Sequence, residues 1–169
     1  MAESVENSPN TFDALGLCAD LMRKAGLVSL ATLERGTGSP FVTLTTIALD
    51  GDCVPLVLIS SLAAHTANLL ADPRFSLLLA RHGKGDPLAH PRLTLTGTAR
   101  KTDSKLAKER FLARHAKARL YAEFTDFSIW RLEPGRVHLN GGFGKAHSGP
   151  AEPLLQKLRL DAPVGGVEV

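Results

Sequence analysis

Cysteine and large aromatics are scarce in this sequence: two cysteines, one tryptophan and one tyrosine among 169 residues. Cys18 and Cys53 lie far apart, each flanked by apolar residues, so they read as buried free thiols rather than a disulfide framework. That usage points to a reducing, cytoplasmic setting. No apolar run approaches the roughly 18 residues that would span a bilayer, and the polar, acidic N-terminus has no signal-peptide pattern. Charge of one sign is missing as well. The net charge is +3 with 22% charged residues. The densest basic stretch, Arg100 to Arg119, is broken by Asp103 and Glu109 and reads as a solvated helix face. Neither nucleic acid nor a membrane is therefore an expected partner, whereas a mild positive field suits a phosphorylated or carboxylated small molecule. Catalytic signatures are also lacking. The histidines (His65, His82, His90, His115, His138 and His147) form no metal-spaced pair, and no GxSxG occurs. The run Gly141-Gly142-Phe143-Gly144-Lys145-Ala146 has neither the dinucleotide fingerprint nor the P-loop Lys-Ser/Thr pair.

What is present is one domain's worth of alternating patterns. Apolar residues make up 44% of the chain, enough for a core without staples. Residues 1–10 read as a flexible N-terminus. Phe12, Leu15, Cys18, Leu21 and Met22 recur at helical spacing up to Lys24, and Gly26 ends that helix. Leu27 to Leu33 then reads as a strand, Arg35 to Pro40 as a turn, and Phe41 to Leu49 as a second strand closed by a hairpin at Asp50-Gly51. Cys53 to Ser60 is the returning strand, completing a three-stranded meander. A short helix from His65 to Ala71 follows, then strands at Phe75 to Ala80 and Leu93 to Lys101 separated by a Gly/Pro-rich loop. A helix from Ser104 to Ala118 is capped by Asp103. Two last strands, Phe127 to Leu132 and Arg136 to Leu139, are expected to turn at Glu133-Pro134-Gly135. Hairpin-linked strands with a few helices predict a mainly β fold, a small antiparallel β-barrel with flanking helices. The tail, 151–169, is Leu-rich and suited to packing on the body or on a partner.

The most suggestive stretch is Ile59 to Thr66. A strand end, the hydroxyls of Ser60, Ser61 and Thr66, a helix N-terminus and His65 fall within one turn, which makes an anion cradle. Helix capping alone accounts for the same residues. Thr43 and Thr45 share a strand face and are expected beside the end of the strand Cys53 to Ser60. Their hydroxyls would face a ligand, neighbouring backbone or water. Arg92 enters its strand from a loop. It is placed to fork onto a phosphate or a carbonyl, or to pair with Asp86. The glycine run, taken to follow the final strand, reads as a loop whose backbone approaches something closely, with Phe143 holding it down.

Four ordered motifs carry a family resemblance. They are Leu58 to Leu69 followed by Ala71-Asp72-Pro73-Arg74-Phe75, then Gly85-Asp86-Pro87-Leu88, then Arg92-Leu93-Thr94-Leu95-Thr96-Gly97, and Asp126-Phe127 leading to Asn140 through Ala146. From about Ala25 to His147 the chain resembles the pyridoxamine 5'-phosphate oxidase-related FMN-binding split-barrel proteins, closest to the haem-utilisation branch. The resemblance implies an FMN-binding split β-barrel over residues 11–150 and a homodimer with two FMN sites at its interface. It implies an FMN-dependent oxidoreductase, with a haem-binding or haem-degrading protein and a non-enzymatic ligand-binding dimer as alternatives. Carried over by position, Thr43, Leu44 and Thr45 run along the flavin, and Ile59, Ser60 and Ser61 lie on the neighbouring strand end. His65 and Thr66 stand where the oxidases place an Arg-Lys pair on the phosphate. Arg92 lies near a glutamine that contacts the flavin, and Gly142 and Phe143 lie in the loop closing over the ring. His147 is the position nearest to a haem ligand. The departures are instructive. The Arg-Lys pair is replaced by at most one titratable charge, Leu139 and Asn140 replace a cofactor-contacting tryptophan, and the substrate clamp is missing. True pyridoxamine-phosphate oxidase activity is therefore not expected.

Overall fold

The computed structural model describes residues 12–162; the expected flexible N-terminus and the last part of the tail lie outside them. Helix α1 (Ala14–Lys24) starts where Asp13 accepts the Gly16 N–H at 2.7 Å, and it buries Cys18, Ala19, Leu21 and Met22. Eight strands follow, all paired antiparallel: β1 (Leu27–Leu33), β2 (Pro40–Thr46), β3 (Ala48–Leu49), β4 (Pro55–Ser60), β5 (Arg74–Ala80), β6 (Arg92–Thr102), β7 (Phe127–Asn140) and β8 (Ala146–Pro150). Helices α2 (Ala64–Ala71), α3 (Lys105–Arg114) and α4 (Glu152–Leu160) flank the sheet. The strand order is β2-β1-β5-β6-β7-β4-β3, with β8 added to β7 beyond β4. The sheet curls into a half-barrel whose lips are β2 and β4. These strands approach each other without forming a ladder, and α2 packs on β1 and β2 at this split.

Alternation sets the layers. Val28 and Leu30 on β1, Leu77 and Leu79 on β5, Leu93 and Leu95 on β6, and Val137 and Leu139 on β7 point inward. They meet α1 and α4, whose Leu154, Leu155 and Leu158 belong to the same core. Residues 152–160 are thus a core helix packed on the body. A second, smaller core lies on the opposite face of β4 and β7, where Leu56, Leu58 and Ile129 meet Ala107, Phe111 and Leu112 of α3.

Three expectations are corrected. The strand expected over Phe41 to Leu49 divides at Ile47. Its first part pairs with β1 and its last two residues with β4. Ile47 is held at the break by its N–H on the Gly26 carbonyl (2.9 Å) and its own carbonyl against His115 Nε2 (2.7 Å). Both expected hairpins form, β1–β2 and β3–β4, but the meander is broken between them: the length of β4 pairs with β7, not with β2, so Thr43 and Thr45 do not lie beside Ser60 on a ladder. Secondly, Glu133-Pro134-Gly135 does not turn the chain. β7 runs unbroken for 14 residues, and the Pro-Gly pair sits at a bulge where the register shifts against Thr96 and Gly97. A Cβ on Gly97 would stand 1.9 Å from the Glu133 carbonyl oxygen, so glycine is required there for close approach. Thirdly, the glycine run does not follow the last strand. It joins β7 to β8, and β8 adds a ladder from Asn140↔Ala146 to Arg136↔Pro150.

The outward face of β2, β1 and β5 is unusual. Leu27, Val42 and Leu44 are each more than 60% exposed and Leu78 is 41% exposed. One row across the sheet reads Leu44, Ser29, Leu78, Thr94, His138, Ser148.

Candidate functional site

The strand-end turn folds as an inward-tied knot. Ser60 ends β4, and its hydroxyl donates to Asp126 Oδ2 at 2.5 Å while accepting the Leu62 N–H at 3.0 Å. The Ser60 carbonyl accepts the Thr66 hydroxyl (2.6 Å) and the Ala63 N–H (3.1 Å). Ser61 donates its N–H to the Asp126 carbonyl at 2.8 Å, and its side chain is exposed. The hydroxyls of Ser60 and Thr66 are thus spent on the turn itself. Helix α2, which begins here, has no side-chain cap and no acid in its first turn. Its first N–H groups lack intrahelical partners and favour an anion.

His65 sits on α2 with its Nδ1 3.0 Å from the Thr43 hydroxyl, which bridges helix and lip strand across the split. Its Nε2 is buried with no hydrogen-bond partner. Burial pushes the imidazole below its ordinary pKa of 6.5, so it is neutral near pH 7. A further anchor is Asn68, buried on α2. Its Nδ2 donates to Thr32 Oγ1 (3.0 Å) and its Oδ1 accepts the Arg35 N–H (2.9 Å), which fixes the helix against the β1–β2 hairpin.

The other expected site residues lie elsewhere. Thr45 is half-buried on the inner face with Thr43, Leu44 points outward, and Ile59 is buried in the main core. Arg92 does not pair with Asp86. Its guanidinium donates to the Leu88 carbonyl at 2.9 Å, while Asp86 caps the short 3-10 turn by accepting the Leu88 N–H. Gly142 has φ +103°, and a Cβ there would come within 2.9 Å of the Ala89 carbonyl oxygen. The glycine run therefore makes its close approach to the β5–β6 loop. Phe143 at its tip is 92% exposed. His147 is half-buried on β8 opposite Leu139.

The candidates thus fall into two groups at opposite ends of β7. Thr43, Ser60, Ser61, His65 and Thr66 gather near Phe127; Arg92, Gly142, Phe143 and His147 gather near Asn140. A 14-residue strand is roughly 45 Å long if fully extended. Sequence reasoning assigned no role to two residues that shape the first group, Asp126 and Asn68. Both stood within motifs of the resemblance, Asn68 in Leu58 to Leu69 and Asp126 in Asp126-Phe127, without a role assigned to either.

Among the described residues no Lys or Arg side chain bonds to this cradle, which offers neutral donors with the Asp126 carboxyl one hydroxyl away. It fits a singly charged carboxylate better than a phosphate monoester, which brings about −1.5 to −2 at pH 7.

Comparison with known proteins agrees with the architecture. The CREG β-barrel family matches residues 15–153. Over 124 residues the chain is 38% identical to "Non-canonical heme oxygenase HOZ, chloroplastic" of Arabidopsis thaliana, covering 70% of this chain and 37% of that protein. The chain thus spans little more than a third of that relative's length. A structure described as a heme binding protein from Mycobacterium smegmatis superposes with TM-score 0.75 and 32% identity, covering 82% of this chain and 60% of the other. A pyridoxinephosphate oxidase-family protein from Clostridium acetobutylicum shares the fold at TM-score 0.64 and 14% identity, covering 83% and 96%. No helix among the described residues is long and apolar enough to cross a membrane. By its matched span and its half-barrel with flanking helices, the chain belongs to the CREG β-barrel family of split-barrel proteins.

Proposed function

We propose that this chain is a haem-binding protein that works in haem handling or breakdown as a cytoplasmic homodimer. The observation that carries the reading is the cradle's chemistry: spent hydroxyls, a neutral imidazole and the nearby Asp126 carboxylate oppose a dianionic phosphate. The exposed Ser61 side chain and the uncapped start of α2 would hold a propionate. The buried Nε2 of His65 lacks a partner that a bound ligand would supply. Haem, when bound, supplies the iron-centred oxygen chemistry; the protein's share is to orient the group and exclude water. Two relatives named for haem support the same reading.

The homodimer draws support from two features. Leu27, Val42, Leu44 and Leu78 form an apolar patch on an open sheet face, of a kind monomers seldom leave bare. The two groups of candidate residues also sit at opposite ends of β7, so one ligand would meet both only if two copies contribute.

The second reading is an FMN-dependent oxidoreductase, favoured by the uncapped α2 N-terminus, which a phosphate would cap. One pair of titrations separates them. Haemin added to the purified chain should raise a saturable Soret band at one equivalent per chain, while FMN fluorescence stays unquenched. Tight FMN quenching with no haemin complex would reverse the assignment. If neither ligand binds, the non-enzymatic dimer remains.

A further inference from the structure

A cavity of about 250 Å³ lies outside the cradle, on the α3 face of β4 and β7. Leu58, Phe127 and Ile129 form its apolar floor, continuous with the smaller core. The Phe127 ring is steadied by Tyr121, with ring centroids 4.9 Å apart. Lys101 at the end of β6 and Lys105 and Lys108 at the start of α3 surround the opening. Lys108 is paired with Glu123 at 2.9 Å, whereas Lys101 and Lys105 make no ion pair among the described residues. Asp103 is the one acidic residue in the lining. No acid occupies the first turn of α3, so two lysines stand where the helix's own field is positive. Folding gains nothing from this concentration of cations over an apolar floor; an anion with an apolar body would neutralise it.

We propose that this cavity is a second ligand site, which takes a small phosphate monoester carrying a compact ring or short alkyl group. The free ammonium groups of Lys101 and Lys105 take the phosphate oxygens as charge-assisted donors. The hydroxyl of Thr102 accepts the Ser104 N–H, and that of Ser104 accepts the Ala107 N–H. Each keeps its own proton for an anion. The apolar group rests on Phe127 and Ile129. The volume is below the roughly 300 Å³ at which drug-sized pockets begin, which excludes a porphyrin. The site is thus independent of the haem reading. It adjoins the strand end that builds the cradle, since Phe127 of its floor pairs with Ser60 and paired residues share a face.

Calorimetric titration of the full chain with phenyl phosphate tests the proposal. Saturable one-to-one binding that weakens with added salt is expected, with inorganic phosphate weaker because it leaves the floor uncovered. The double variant Lys101→Ala/Lys105→Ala should lose roughly tenfold or more in affinity. Arginine at both positions should retain most of it. Both lysines are exposed, so the variants should melt like the parent, and a melting curve checks this. Absence of binding to the parent overturns the proposal. So does binding that survives the double alanine variant but is lost in Ser61→Ala/His65→Ala, which would place the anion in the cradle. Equal affinity for phenyl phosphate and inorganic phosphate would remove the apolar floor from the site.

Discussion

At the Phe127 end of β7, the polar side chains of Ser60, Thr66 and His65 bond to the protein itself. At the Asn140 end, the backbone is equally well tied: the Gly141 N–H meets the Lys145 carbonyl at 2.6 Å and the Gly142 N–H meets Asn140 Oδ1 at 3.1 Å. Yet Phe143, carried on that tight hairpin, faces solvent at 92% exposure. The first end spends its side chains on holding the split together. The second spends its backbone on holding out an apolar side chain that the described residues leave bare. Rigid presentation of an exposed phenylalanine is what an intersubunit or ligand contact requires, since ordering costs have already been met. Between the two ends lies the bulge at Gly97, which bends β6 and β7 and so sets how the ends face one another.

That comparison can be broken first at its middle. Gly97→Val drives a side chain into the Glu133 backbone, which cannot move without breaking the β6–β7 ladder. The loss should be about 3 kcal/mol or more, the upper range for overpacking, and chemical denaturation measures it. A variant of near-parental stability would mean the bulge is soft.

At the Asn140 end, paired variants separate the backbone's role from the side chain's. Gly142→Val must hold a β-branched residue at φ +103° against the Ala89 carbonyl, so it should cost about 1–3 kcal/mol. Phe143→Ser should change stability of the separated chain by no more than roughly 0.5 kcal/mol. It should nevertheless shift light scattering toward monomer or weaken haemin binding. If Phe143→Ser is silent in both assays, the hairpin presents nothing.

The Phe127 end yields the smallest effect and the most specific one. His65 has a folded-state pKa below its ordinary 6.5, so the unfolded chain binds more protons. Stability must therefore fall as pH drops from 6.5 toward the folded value and stay level above it. His65→Asn should flatten that slope. A parent whose melting temperature is constant from pH 7.5 to 5.5 would show that the imidazole is not held neutral.

Legibility in the sequence followed the range of the interaction. α1, β1 and α3 were visible because their periodicity is local, although the cap of α3 is Ser104, which accepts the Ala107 N–H, and not the expected Asp103, and the helix ends at Arg114. The halves of β7 were read as two strands because Pro-Gly marks a bulge as readily as a turn. Only the partner strand distinguishes them. The adjacency of Thr43 and Ser60 failed for a related reason. Hairpin logic pairs neighbours in sequence, whereas Ile47 sends the chain from one lip of the split to the other. Asp126 was quoted in a motif without a role, since its partner Ser60 is 66 residues away.

By itself the sequence determined the inward apolar rows, the strand-end turn leading into a short helix, and the lack of any Lys or Arg in that turn. These depend on residue type at short spacing. Only the tertiary structure decided which strand lies beside which, that the candidate residues split into two distant groups, that α2 has no side-chain cap, and that the Ser60 and Thr66 hydroxyls were already engaged. Those facts depend on long-range pairing, and a hydroxyl looks the same in a sequence whether its proton is given to a ligand or to the protein's own carboxylate.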